Sequence, residues 1–173
     1  MDQFKPLEKL AIPAAIEKAK HYRLLNESSA AESICRDILR VEPNNQKVPV
    51  ILILAMCDQL GKGYKVATGT VIEINGRLEN EYERIYYTGI FHERRGMASL
   101  QSGSPGARFM AYDYFCDPLE WYEKAEKLAP EHNNDSVLRW NTCTRLIERN
   151  RLEPMPEEGR EPFWNDSCYS WKY

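Results

Sequence analysis

The sequence predicts an all-α protein built from antiparallel helical hairpins. Three observations indicate this fold class. Apolar residues recur at helical spacing along most of the chain. Prolines and polar turn residues interrupt that pattern where short connections between helices would fall. Similar segments also occur more than once, as in a repeat protein. The 173 residues are enough for one domain or for a short array of repeats.

The first hairpin is predicted between residues 14 and 43. Apolar residues at spacings of three and four mark one face of a helix over residues 14–22 and again over residues 30–41. Asn26 suits the short turn between the two helices. Pro43 ends the second helix, because proline lacks the N–H that a helix interior requires.

The middle of the chain is harder to assign from local sequence. Residues 66–74 are rich in β-branched side chains and would also fit a strand. We expect residues 68–74 to be helical, because the flanking segments are helical hairpins and an isolated strand would have no partner. We then expect a long helix over residues 79–97 and a last helix over residues 133–150. Residues 101–106 have the composition of a loop, which we place at the tip of an extended hairpin.

Two segments share a helical pattern that ends in proline. They are Ala31-Glu32-x-x-Cys35-x-x-Ile38-Leu39-x-x-x-Pro43 and Leu119-Glu120-Trp121-Tyr122-Glu123-Lys124-Ala125-x-x-x-x-Pro130. This pattern resembles the tetratricopeptide repeat family, whose unit of about 34 residues is a pair of antiparallel helices. The resemblance covers residues 10–150 and implies about three units, with extra residues in the third. It implies an α-α superhelix in which the first helix of each unit lines a concave groove.

The first helices of two units match the family more loosely. The resemblance implies that Ala19 and Gly89 lie where paired helices approach each other closely. It implies that Asn26 and Gly96 are turn residues that tolerate a positive φ, a conformation that glycine adopts at no steric cost.

Composition argues against several classes of function. The net charge of −3, with acidic and basic residues interleaved, does not suit a nucleic-acid binder. The longest apolar run, residues 48–56, is far short of the roughly 20 residues that span a bilayer. The N-terminus has no apolar signal core. Five widely spaced cysteines without a Cys-x-x-Cys pair are typical of reduced thiols. We therefore expect a cytoplasmic protein that binds neither membrane nor nucleic acid.

The sequence offers little for catalysis, and we predict no catalytic residue, no metal and no cofactor. The segment 92–95, His-Glu-Arg-Arg, lacks the second histidine of a zinc-protease helix. One alternative is a small-molecule or enzymatic site in a pocket near Cys57, His92 and Arg94. Another alternative is a structural subunit that only associates with itself.

The leading prediction is an adaptor or scaffold that binds a protein or peptide partner in the concave groove. Arginine, lysine and asparagine beside a tyrosine and aliphatic residues suit an extended peptide with acidic or C-terminal carboxylate groups. An ordinary solvated helix face would carry similar charges, so that interpretation stays open. The residues predicted to line the groove are Lys20, Arg23, Val50, Leu54, Tyr86, Ile90, Arg94, Asn141 and Arg145.

The end of the chain differs in character from the rest. Residues 151–173 contain three prolines and several aromatic residues, among them Phe163, Trp164 and Trp171. Such a segment cannot continue a helical array. We therefore divide the chain into a helical repeat domain, residues 1–150, and a Pro/aromatic-rich tail, residues 151–173. We expect the tail to dock onto the helices, with self-association or partner binding as the alternative.

Overall fold

The computed structural model describes residues 4–62 and 66–156, and all regular structure in these residues is helical. The predicted all-α class is therefore confirmed. A single 3-10 turn, Lys9–Ala11, precedes seven α-helices in the described residues. These helices are α1 (Ile12–Leu24), α2 (Ser28–Val41), α3 (Lys47–Cys57), α4 (Thr68–Asn75), α5 (Glu81–Ser102), α6 (Ala107–Glu126) and α7 (Asp135–Asn150). The tail aromatics lie outside the described residues, and their docking stays a prediction.

The stretch of β-branched residues forms a helix, as predicted. Helix α4 buries Val71 and Ile74, which lie three residues apart on one side of it. Helix α4 packs against both α3 and α5. The burial of this apolar stripe outweighs the local preference of β-branched residues for strands.

Helices α5 and α6 form the extended hairpin that the sequence predicts. They contain 22 and 20 residues, and α5 continues five residues beyond its predicted end at Met97. Asn80 caps α5 by accepting a hydrogen bond from the backbone N–H of Glu83 at 3.2 Å. The connection is closed by Gly103 and Gly106, whose φ angles of 60° and 75° lie in the left-handed region that glycine tolerates best.

The helices pack in chain order around one continuous apolar core. Each helix contacts the next one from α1 to α7, α1 also contacts α3, and α3 also contacts α5. The core cluster extends from Ile12 at the start of α1 to Leu152 just after α7. Contacts between neighbours in sequence therefore build most of the fold.

Close helix packing explains both glycines inside α5, but one of them was predicted wrongly. A Cβ atom at Gly89 would lie 2.7 Å from Cε1 of Tyr122, so the predicted close approach is confirmed. Gly96 does not occupy a turn: it lies within α5, where a Cβ would lie 3.1 Å from the ring of Phe115. The turn at Asn26 does have a positive φ, of 65°.

We predict that Gly89→Ala lowers the free energy of unfolding by about 1–3 kcal/mol, since the new methyl group overlaps a completely buried tyrosine ring. Urea unfolding followed by circular dichroism measures the change. The matched control is Gly69→Ala in α4, where no atom of the described residues lies within 4 Å of the new Cβ, apart from its chain neighbours and the α4 backbone. There the higher helix propensity of alanine should leave stability unchanged or raise it. Equal effects at the two positions would contradict close packing at Gly89.

Candidate binding surface

The structure brings Arg23 and Arg94, two of the predicted groove residues, to the C-terminal end of α3. Arg23 of α1 donates from Nε to Oδ2 of Asp58, directly after α3, at 2.7 Å. Cys57, the last residue of α3, lies close enough to both arginines for each of them to lower its pKa. Lys20 is exposed one helical turn before Arg23, where it pairs with Glu17 at 2.7 Å. Helices α1 and α5 thus each contribute an arginine to the region at the C-terminal end of α3.

Val50 and Leu54 lie on the same side of α3 as Cys57, since spacings of four and three residues keep side chains on one helix face. Both are half-buried and pack against the edge of the core. They therefore offer part of their apolar surface beside Arg23 and Arg94.

Ile90 was predicted to line the same surface, and this prediction is wrong. Its side chain is only 2% exposed and belongs to the core cluster. It lies four residues from both Tyr86 and Arg94 on α5, which are half-buried. Ile90 lies on the same side of α5 as Tyr86 and Arg94, but the neighbouring helices cover its side chain.

The prediction for α7 is also wrong, because Arg139 faces α5 where Asn141 was expected to do so. Arg139 donates from Nη1 to Oε1 of Glu93 on α5 at 3.0 Å. Residues two positions apart lie about 200° apart around a helix, so Asn141 does not face α5 with Arg139. Arg145 is exposed and helps to line a surface depression of about 610 Å³ formed by α7 residues. The same rotation of α7 buries Ser136 and Cys143.

We name the surface formed by Arg23 of α1, Leu54 of α3, Arg94 of α5 and Arg139 of α7 the odd-helix face. Tyr86 of α5 adjoins it, since its hydroxyl lies beside the guanidinium of Arg139. The Tyr86 ring stacks on Tyr82 at 5.6 Å between centroids. The face therefore combines guanidinium donors with aromatic and aliphatic surface.

A buried carboxylate, Glu93, holds one end of the odd-helix face in place. Glu93 is 3% exposed. Its Oε2 accepts a hydrogen bond from the hydroxyl of Tyr122 on α6 at 2.7 Å, while its Oε1 accepts from Arg139 on α7. Three helices therefore meet at one charged group. A buried charge is tolerated only with such partners, because desolvation costs several kcal/mol per ion.

The environment of Glu93 keeps its neighbours protonated. Burial raises the pKa of Tyr122 strongly, and the charge of Glu93 raises it further. Burial and Glu93 act in the same direction on the pKa of the Cys143 thiol. The Tyr122 hydroxyl consequently remains a donor to Glu93 over the whole physiological pH range.

Sequence reasoning missed Glu93, Tyr122 and Arg139 as a set, although a signal was present. Glu93 lies four residues after Gly89, and Arg139 lies four residues before Cys143, so each shares a helix face with a buried residue. Opposite charges on the buried stripes of two helices indicate a buried ion pair. In the sequence alone, a single charged residue on such a stripe is easily mistaken for a solvent-exposed residue.

The structure does not assemble the alternative site from Cys57, His92 and Arg94. His92 and Arg94 lie two residues apart on α5 and so face different neighbours. His92 Nδ1 lies 3.1 Å from Oδ2 of Asp117 on α6, whereas Arg94 faces Cys57 on α3. Burial raises the pKa of Cys57 to about 12, which disfavours the thiolate that a nucleophile needs.

The described residues contain neither a candidate metal site nor a candidate membrane-spanning helix. Residues 4–62 and 66–156 contain no group of three or more His, Cys, Asp or Glu side chains that could hold a metal ion. Among the helices of the same residues, none combines the length and apolar character needed to cross a membrane. The four cysteines in this part of the chain are free thiols: Cys35, Cys57, Cys116 and Cys143.

Comparison with known proteins gave no match: no family model, no curated protein and no solved structure is similar to this chain. The tetratricopeptide resemblance therefore depends on the sequence segments quoted above. The functional argument depends on the geometry of the odd-helix face.

We predict that Tyr122→Phe lowers the free energy of unfolding by about 1–3 kcal/mol, because Glu93 loses a charge-assisted hydrogen bond in a buried site. Urea unfolding gives the value. Tyr22→Phe is the control: Tyr22 is half-buried, and its hydroxyl makes no hydrogen bond to the described residues. A loss at Tyr22 as large as that at Tyr122 would show that the hydroxyl contact with Glu93 contributes nothing specific.

We also predict that iodoacetamide at pH 8 labels Cys116 well before Cys57 in the folded protein. Cys116 is half-buried, whereas Cys57 is 2% exposed and has a pKa of about 12. Only about one Cys57 thiol in 10⁴ is ionised at pH 8, and its labelling should rise with pH. Peptide mass spectrometry follows each site, and labelling in urea serves as the control. Equal labelling rates without urea would contradict the burial of Cys57.

Proposed function

We propose that this chain is a tetratricopeptide-like adaptor that binds an extended segment of a protein partner on the odd-helix face, without catalysis. The observation that carries the proposal is the convergence of Arg23, Arg94 and Arg139, from three different helices, beside half-buried apolar side chains. Arginine and tyrosine are among the residue types that contribute most binding energy in protein interfaces.

The helix packing supports the architectural part of the proposal. In arrays of helical hairpins, each helix contacts the next, and the first helices of successive hairpins also contact one another. Here α1 contacts α3 and α3 contacts α5 in addition to the sequential contacts, whereas α5 and α7 are joined mainly through the Glu93–Arg139 pair. We propose that this pattern forms a short α-α superhelix with the odd-numbered helices on its concave side.

The chemistry of the odd-helix face supports an extended polar segment over a purely apolar one. Its apolar contribution is modest, since Val50 and Leu54 each remain half-buried. Its polar contribution comes from guanidinium groups, which form directional hydrogen bonds with carboxylate and carbonyl oxygens. A partner with a backbone open to hydrogen bonding would use both parts of the surface.

Site-specific photocross-linking tests the proposal. We expect that p-benzoylphenylalanine at Lys20, one turn from Arg23 on α1, captures a partner from native lysate. The same residue at Ser33, which is exposed on α2, should capture none or far less. Unlabelled protein in excess should suppress the adduct, because specific sites saturate.

Two outcomes would overturn the adaptor proposal. Equal adducts at Lys20 and Ser33 would show that the odd-helix face has no preference for partners. Adducts that contain only a second copy of this chain would favour the self-associating subunit.

A further inference from the structure

Among residues 4–62 and 66–156, the half-buried arginines are held by hydrogen bonds, with one exception. Arg23, Arg84, Arg95 and Arg139 each donate to an oxygen atom 2.6–3.0 Å away. Arg94 is equally half-buried, but its Nε atom is buried without a partner, and its guanidinium makes no hydrogen bond to the described residues.

This exception has an energetic cost. A buried donor without an acceptor destabilises the folded state by about 1–3 kcal/mol relative to a satisfied one. Buried polar groups are nearly always satisfied in folded proteins, so an unsatisfied donor needs an explanation of its own. An acceptor that arrives with a ligand would satisfy the Arg94 Nε–H.

The charges around Arg94 also favour an acceptor that is supplied by a ligand. On the odd-helix face, Asp58 neutralises Arg23 and Glu93 neutralises Arg139. Arg94 has no carboxylate within 4.0 Å in the described residues. Arg94 is therefore the arginine of this face that remains available to pair with a negatively charged group of a ligand.

We propose that Arg94 is the anchor for a carboxylate on a side chain of the bound segment, an inference that rests on the proposed function. The odd-helix face continues past Arg94 toward Arg23 on one side and toward Arg139 on the other. A segment that follows the face therefore crosses Arg94 within its length, where only a side chain can supply a carboxylate. On binding, the guanidinium turns toward the ligand, so that Nε and one Nη donate to the two carboxylate oxygens.

A phosphate group suits this position less well. The charge of a phosphate at neutral pH is roughly −1.5 to −2, and the two neighbouring arginines already carry carboxylate partners. A carboxylate matches both the single charge of Arg94 and the planar fork of its donors. The anchor therefore favours an aspartate or glutamate side chain.

The proposal predicts opposite effects of one substitution on stability and on binding. Arg94→Met removes the unsatisfied donor but keeps an unbranched side chain, so the free energy of unfolding should stay unchanged or rise. The matched control is Arg95→Met on the same helix. Arg95 donates to the Tyr114 hydroxyl at 2.6 Å and lies over the Tyr114 ring, so its removal should lower stability.

Binding is tested on the full chain by NMR, with N-acetylglutamate α-amide as the probe and N-acetylglutamine α-amide as its neutral counterpart. We expect the acidic probe to shift the Arg94 Nε–H resonance in a saturable way and the neutral probe to leave it unchanged. Arg94→Met should abolish the shifts that the acidic probe causes in the backbone amides near Cys57. Arg95→Met should retain them.

Three outcomes would overturn the anchor. One is a wild-type Arg94 resonance that does not respond to the acidic probe. Another is an equal response to the neutral probe. The last is a loss of stability in Arg94→Met as large as in Arg95→Met, which would show that Arg94 stabilises the fold. None of these outcomes depends on the cross-linking result, so the anchor and the adaptor proposal can fail separately.

Discussion

One buried carboxylate determines how the last three helices fit together. The charged carboxylate of Glu93 is buried, so its two oxygens require hydrogen-bond donors from the helices that pack against α5. Tyr122 supplies one donor from α6, and Arg139 supplies the other from α7. The first contact needs α6 close to α5, which the absence of a side chain at Gly89 permits. The second contact fixes the rotation of α7.

The rotation of α7 in turn decides what the odd-helix face presents. Because Arg139 faces α5, its charge is already compensated within the protein, as that of Arg23 is by Asp58. Internal pairing therefore leaves the face less basic than its arginines suggest, with Arg94 as its unpaired cation among the described residues. If the face binds as proposed, it would select a ligand by the position of one negative group and would not attract anions in general.

The sequence predicted the fold better than the site, for a physical reason. Helix periodicity and proline positions are local, so the hairpins, the helical state of residues 68–74 and the long hairpin of α5 and α6 could all be anticipated. The site depends on the rotation of each helix against its neighbours. Arg23 and Arg94 do lie close to one another beside Cys57, whereas Ile90 was expected to be accessible and proved to be core. Arg139 shares a helix face with a buried residue, but this local signal does not identify Glu93 as its partner.

The separation of the Glu93 contacts along the chain has a consequence for folding kinetics. Most helix contacts join neighbours in sequence, and such contacts close quickly because little loop entropy is lost. The contacts of Glu93 bridge 29 residues to Tyr122 and 46 residues to Arg139. The ion pair therefore closes a longer loop than the contacts between adjacent helices do, and it costs more chain entropy to form. The docking of α7 is therefore expected to be a late event in folding, and the transition state would have little of this polar network.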